Sequence, residues 1–103
     1  MFARVTTYEG SPGQLDEGLR IFREEVIPWL RDASGFRGWI VLVDRDEGRS
    51  LGITFWATEE AAADTDASGR SLREEVAATV GATMRSLDVY EVAVAEALAL
   101  EEG

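Results

Sequence analysis

The chain has 103 residues and a formal net charge of −10, from 20 Asp and Glu against 10 Arg, with no Lys, His, Cys or Asn. That composition removes imidazole bases, thiolate nucleophiles, Schiff-base amines and disulfides. The acidic balance argues against nucleic-acid and anionic-membrane partners, which attract clustered cations.

At this length the chain is one domain, here taken as residues 1–96 with a short tail over 97–103. Residues 2–9 are rich in Val, Thr and aromatic side chains and predict a first strand. The same segment lacks a basic region followed by an apolar stretch, so no signal peptide is expected, and no run reaches the ~18 apolar residues of a membrane span. A cytoplasmic protein is the expectation. Ser11-Pro12-Gly13-Gln14 predicts a helix start, with Ser11 as N-cap and Gln14 closing a capping box. Leu15, Leu19, Phe22, Val26 and Leu30 then form one helical stripe. Pro28 falls inside it and is expected to bend or break the last turns.

Phe36 to Asp44 predicts the second strand and Leu51 to Trp56 the third, joined by a polar turn ending near Gly48. Thr58 caps a second helix with acids in its first turn. Its middle, Asp64 to Gly69, has poor propensity and predicts a kink or short loop. Leu72, Val76 and Val80 restore the stripe, Gly81 ends it, and Leu87 to Ala95 predicts the fourth strand. The order β-α-β-β-α-β is the ferredoxin-like α+β arrangement: a four-stranded antiparallel sheet with two helices on one face.

A sheet covered on one side should alternate apolar and polar residues. The second strand does not: Trp39, Val41 and Val43 oppose Ile40 and Leu42. The third sets Leu51, Ile53 and Phe55 against Thr54 and Trp56. The second apolar face needs a cover, and a second copy of the same sheet is the simplest. A homodimer is expected, with Val41, Ile53 and Phe55 as interface candidates.

Several segments carry a family resemblance: Ala3-Arg4-Val5-Thr6-Thr7, Val26-Ile27-Pro28, Gly35-Phe36-Arg37-Gly38, Leu42-Val43-Asp44-Arg45, Phe55-Trp56-Ala57-Thr58-Glu59-Glu60 and Tyr90-Glu91-Val92-Ala93-Val94. In this order and spacing the chain resembles the antibiotic biosynthesis monooxygenase family of dimeric α/β-barrel proteins, over residues 2–95. The resemblance implies a homodimer and a pocket between sheet and helices, used in characterised members for aromatic polyketides or haem. It implies monooxygenases that need neither metal nor flavin, because the deprotonated substrate activates O₂ itself. Those members combine a pocket Trp with an Asn and, in haem degraders, a His. Only the Trp carries over, onto Trp56. With Asn and His absent, Arg4, Thr6 and Tyr8 on the first strand are candidates to substitute as donors, and spacing singles out none of them.

The candidate ligand site is therefore Trp56, Thr54, Arg4, Thr6 and Asp66, between sheet and helices, with Asp64 to Gly69 as a movable wall. Thr54 and Gly52 are small and leave room beside the Trp56 indole. Trp56 also reads as an ordinary core aromatic, and Arg4 as one half of a cross-strand pair with Glu91. Glu24-Glu25 and Glu74-Glu75 diverge by ~100° on a helix and form no acid–base dyad. No cofactor and no metal site is expected, because imidazole and thiolate ligands are missing and no loop has cation-ligand spacing. Three functions remain open: a dimer that binds a small hydrophobic or aromatic ligand, a cofactor-independent monooxygenase on a hydroxyaromatic substrate, and a structural or regulatory dimer without a pocket.

Overall fold

Eight residues of extended chain, Phe2–Glu9, form β1, the strand around which everything else is arranged. The computed structural model describes residues 1–96, apart from the side chains of residues 67 and 68, so the expected tail over 97–103 lies outside the described residues. After β1 come a 3₁₀ turn (Pro12–Gln14), α1 (Leu15–Ile21), a π turn (Phe22–Val26) and α2 (Ile27–Arg31). Then follow β2 (Phe36–Asp44), β3 (Arg49–Trp56), α3 (Glu59–Thr79) and β4 (Thr83–Glu91). The sheet order is β2-β3-β1-β4, antiparallel throughout. With the helices on one face, this is the ferredoxin-like α+β fold. Among the described residues no helix is long and apolar enough to cross a membrane.

Local chemistry explains most boundaries and several departures from expectation. Ser11 makes no side-chain cap bond; its carbonyl instead accepts from Gln14 N at 2.9 Å, closing a 3₁₀ turn. Pro28 cannot donate to the carbonyl four residues back. The wider π turn immediately before it shifts the hydrogen-bond register, so the chain runs on helically to Arg31. Thr58 caps α3 as expected, its hydroxyl accepting from Ala61 N at 3.1 Å.

The expected break over 64–69 is absent: α3 is continuous from Glu59 to Thr79. Tertiary contacts outweigh the weak propensity. Thr65 is tied to Arg4, Asp66 to Arg73, and Gly69 lies so close to Trp29 that a Cβ there would sit 3.0 Å from the indole. The fourth strand runs over Thr83–Glu91, four residues earlier than expected, because β1 templates it from Glu9↔Thr83 to Phe2↔Glu91. Gly48 ends the β2–β3 turn at φ +69°, and a Cβ there would strike the Gly10 carbonyl oxygen at 2.1 Å. Only glycine serves both demands.

Register assigns the faces. Arg4, Thr6 and Tyr8 of β1 stand beside Thr54, Gly52 and Ser50 of β3, under the helices. Trp39 and Val41 pair with Thr54 and Gly52 and share that covered face. Val41 therefore does not belong with Ile53 and Phe55, which point to the opposite side with Val5, Ile40, Leu42 and Leu51. The pairing of β2 against β3, which strand alternation alone leaves undefined, decides this. The core is Val26, Ile27, Leu30, Trp56 and Ala62.

Candidate functional site

The layer between sheet and helices is densely packed at one end and open at the other. At the packed end Trp56 is fully enclosed. Its indole N–H donates to Thr54 Oγ1 at 2.9 Å, Phe36 meets it edge-on at 5.3 Å, and the Arg4 guanidinium lies over its ring at 5.0 Å. Trp56 is thus a core aromatic and not the pocket wall that the sequence suggested. The bulk of the indole fills the room that Thr54 leaves.

Arg4 does not pair with Glu91, whose strand partner is Phe2. Its Nη1 donates to Ala62 O and to Thr65 Oγ1, both at 2.9 Å, and so fastens β1 to α3. Burial, and secondarily the charge of Arg73, lowers its pKa to about 10, while Asp66 and Tyr8 act in the opposite direction.

The open end begins at Gly52. A Cβ built there meets nothing within 4 Å, so the missing side chain leaves the floor of the covered sheet unfilled. Above it lies an apolar cleft of about 90 Å³, walled by Leu15, Leu19 and Phe22 of the first helical segment, by Val76 and Ala77 of α3 and by its C-cap Val80. Tyr8, Ser50, Val41 and Arg73 complete it. An inner recess of about 20 Å³ adjoins it, sharing Tyr8, Phe22, Val26, Gly52 and Arg73. Arg4, Thr6 and Thr54 also line the recess, whose surface is otherwise mostly apolar.

Arg73 is the most informative group here. It is 91 % buried, its Nη2 donates to the Asp66 carbonyl oxygen at 3.1 Å and pairs with the Asp66 carboxylate, and its Nε has no hydrogen-bond partner among the described residues. Burial holds the Tyr8 hydroxyl above its ordinary pKa, offset in part by Arg73 and Arg4. Tyr8 is therefore a neutral donor at physiological pH.

Of the residues singled out in the sequence, Arg4, Thr6 and Thr54 come together at the recess. Asp66 does not line it but holds Arg73. Trp56 stands behind it in the core. Sequence reasoning missed Arg73, although the signal was present: Arg73 falls on the same helical face as Gly69, Val76, Ala77 and Val80, a cation inside an apolar stripe.

Comparison with known proteins gives the following. Residues 1–71 match the model of the antibiotic biosynthesis monooxygenase family. One uncharacterised Mycobacterium tuberculosis protein is 30 % identical over 93 residues, covering 90 % of this chain and 41 % of its own length. Another is 39 % identical over 61 residues, covering 59 % of this chain and 26 % of its own. The chain thus spans well under half the length of these relatives. Among solved structures, a Streptomyces coelicolor monooxygenase in complex with nanaomycin D superposes with a TM-score of 0.69 at 18 % identity, covering 97 % of this chain and 92 % of that one. A heme-degrader from Mycobacterium tuberculosis with two hemes bound superposes at 0.68 and 24 % identity, covering 94 % and 100 %.

Proposed function

The chain belongs to the antibiotic biosynthesis monooxygenase family, and from that premise we propose that it binds a small apolar or aromatic ligand in the cleft over Gly52. The observation that carries this reading is an unfilled apolar space where the fold places a layer of core. Interiors of small domains are close-packed, and a void of this kind forgoes stability that a side chain at position 52 would supply. The size bounds the ligand. At about 90 Å³ the cleft is smaller than the about 150 Å³ of an engineered cavity that holds one benzene. A compact body fits; a fused polycycle requires the helical wall to move outward.

Haem does not fit this site. The cleft is too small, and with no His or Cys in the chain Tyr8 is, among the described residues, the only lining side chain of a haem-ligating type.

A second reading, cofactor-independent oxygenation, is supported by the Arg4, Arg73 and Tyr8 side chains among the residues that line the recess. Two guanidiniums and a neutral phenol beside an apolar wall would stabilise the oxyanion of a bound hydroxyaromatic. In that reaction the phenol gives up its hydroxyl proton and a ring hydrogen, O₂ supplies one atom to the ring, and quinone and water are the products. Incubation with small hydroxyaromatics in air decides between the readings: O₂ uptake matched to quinone formation supports oxygenation, and saturable binding without uptake supports the binding reading alone.

The proposal extends to assembly. Ile53, Phe55, Leu51, Ile40 and Val5 form an apolar sheet face with no helix over it among the described residues. A second copy related by a two-fold axis covers such a face with itself. Sedimentation equilibrium at micromolar concentration should give a dimer, and a monomer there removes this part of the proposal.

A further inference from the structure

The cleft over Gly52 has a direction. On α3 its lining is Val76, Ala77 and the C-cap Val80, whereas the recess takes Leu72 and Gly69, one and two turns earlier. On β3 the cleft has Ser50 and Gly52, and the recess Gly52 and Thr54. The two spaces therefore lie end to end between sheet and helices. From Val80 back to Gly69 the helix covers about 16 Å. The outer end reaches the exposed Ser11 and Gln14, and the inner end stops among the buried Thr6, Thr54 and Leu30. Trp29, packed closely against Gly69, stands at that inner end.

Width falls along that path. The outer compartment holds about 90 Å³ and the inner about 20 Å³, little more than the ~10–15 Å³ that one water-sized group needs. A methyl end enters the recess, and a ring does not. The chemistry of the inner end is apolar as well. Its surface is mostly apolar, and the polar side chains that reach it are bonded to the protein: Arg4 to Ala62 O and Thr65 Oγ1, Thr54 Oγ1 to the Trp56 indole, and Arg73 to Asp66. The remaining Arg73 Nε–H is sealed away from the space. A polar group entering there loses its hydration without a partner, whereas an apolar one gains by leaving water.

We propose that cleft and recess together receive an unbranched alkyl chain end first, its terminal methyl in the recess beside Leu72 and its polar end at the mouth beside Ser11 and Gln14. This rests on the reading of the cleft as a ligand site and names its ligand class. Selectivity for a straight chain comes from the recess, because a branched or cyclic body of the same size stops in the cleft and leaves the inner space empty.

The test is calorimetric titration of the full chain with 1-butanol, 1-hexanol and 3,3-dimethyl-1-butanol, the last having the formula of hexanol in a branched shape. Affinity should rise about fourfold for each methylene from butanol to hexanol, the fold-change that corresponds to ~0.8 kcal/mol per buried methylene. Hexanol should bind at least about tenfold more tightly than its branched isomer, which forgoes the burial of roughly two carbons in the recess. Leu72→Phe fills the recess and should weaken hexanol at least about fourfold, while the branched isomer keeps its affinity. If Leu72→Phe does not fold, Thr6→Ile, a larger β-branched side chain on the strand that lines the recess, serves as the blocking variant. Equal or tighter binding of the branched isomer overturns the straight-chain site and leaves the ligand cleft standing. Binding of none of the three alcohols overturns both. Preference for hexanol that survives unchanged in a folded blocking variant shows the chain end to sit elsewhere and overturns the assignment to the recess.

Discussion

Gly52→Ala separates a ligand cleft from a packing defect. The Cβ would point into the space under the helices, with nothing within 4 Å and an ordinary strand backbone to support it. Replacing a mid-strand glycine relieves about 0.5–1 kcal/mol of unfolded-state entropy. The buried methyl adds at most ~0.8 kcal/mol, and less here because it meets few atoms at contact distance. The expected gain is about 1 kcal/mol, which raises Tm by roughly 4–8 °C in a domain of this size. Gly52→Val fills more of the space. With about 24 cal/mol for each Å³ of void, eliminating a cleft of about 90 Å³ is worth up to ~2 kcal/mol. Thermal denaturation by circular dichroism reads the stability, and titration with hexanol reads the cleft. Stability should rise from Gly to Ala to Val while hexanol binding weakens and then disappears. A lower Tm for Gly52→Ala would show that the space is not there. Undiminished hexanol binding by a stabilised Gly52→Val would place the ligand elsewhere.

Trp56→Ala removes a fully enclosed core aromatic and should cost about 3–5 kcal/mol in urea denaturation, a larger effect than substitution of any residue lining the cleft mouth. Ile53→Asp, on the sheet face proposed to dimerise, should sediment as a monomer where the native chain is expected to be a dimer, without loss of helical signal, whereas Val41→Asp, under the helices, should unfold the chain. In spectrophotometric titration the phenol of Tyr8 ionises above its ordinary value because burial disfavours the phenolate; Tyr8→Phe should remove that late component. The sign for stability follows. The folded state holds the Tyr8 proton more tightly than the unfolded chain, so this contribution is intact below pH ~10 and is lost as pH rises through the folded value. Asp44 behaves oppositely: Glu47 N–H and then Arg49 hold its carboxyl below the usual range, so its support of the β2–β3 turn is present above the ordinary carboxylate pKa and lost as acid protonates it. Amide protection in that turn, taken relative to the intrinsic exchange rate at each pH, should fall at low pH in the native chain and not change with pH in Asp44→Asn.

The chain order of strands and helices, the start of α3 and the fold class were legible because they rest on local signals: β-rich runs, the Thr58 cap, and glycines at 48 and 81. What local signals could not carry was register. Val41 alternates correctly within its own strand, yet which face it shares depends on its pairing with Gly52 across β3. The α3 segment from Asp64 to Gly69 reads as weak because propensity ignores Arg4, Arg73 and Trp29, which reach it from distant positions in the chain. The β-rich run from Val92 to Val94 outscored Met84-Arg85-Ser86 as strand, but β1 ends at Phe2 and offers little to pair with beyond it. At the site, the small residues Gly52 and Thr54 were visible as room near Trp56. The indole occupies one side of that room and the cleft the other. Arg73 was visible only as a cation in an apolar stripe, and its meaning required knowing that Tyr8 and Arg4 stand opposite it.

The central claim is that the space over Gly52 is where this chain receives its ligand. Amide chemical-shift mapping during titration with hexanol tests it directly. Saturable shifts are expected at Gly52, Tyr8, Leu19, Phe22, Val76 and Val80, with Trp56 and the separate surface groove lined by Asp32, Ser34, Thr58 and Glu60 unmoved. Shifts clustered in the Asp32–Ser34 and Thr58–Glu60 groove instead, or no saturable shift at any residue, would contradict it.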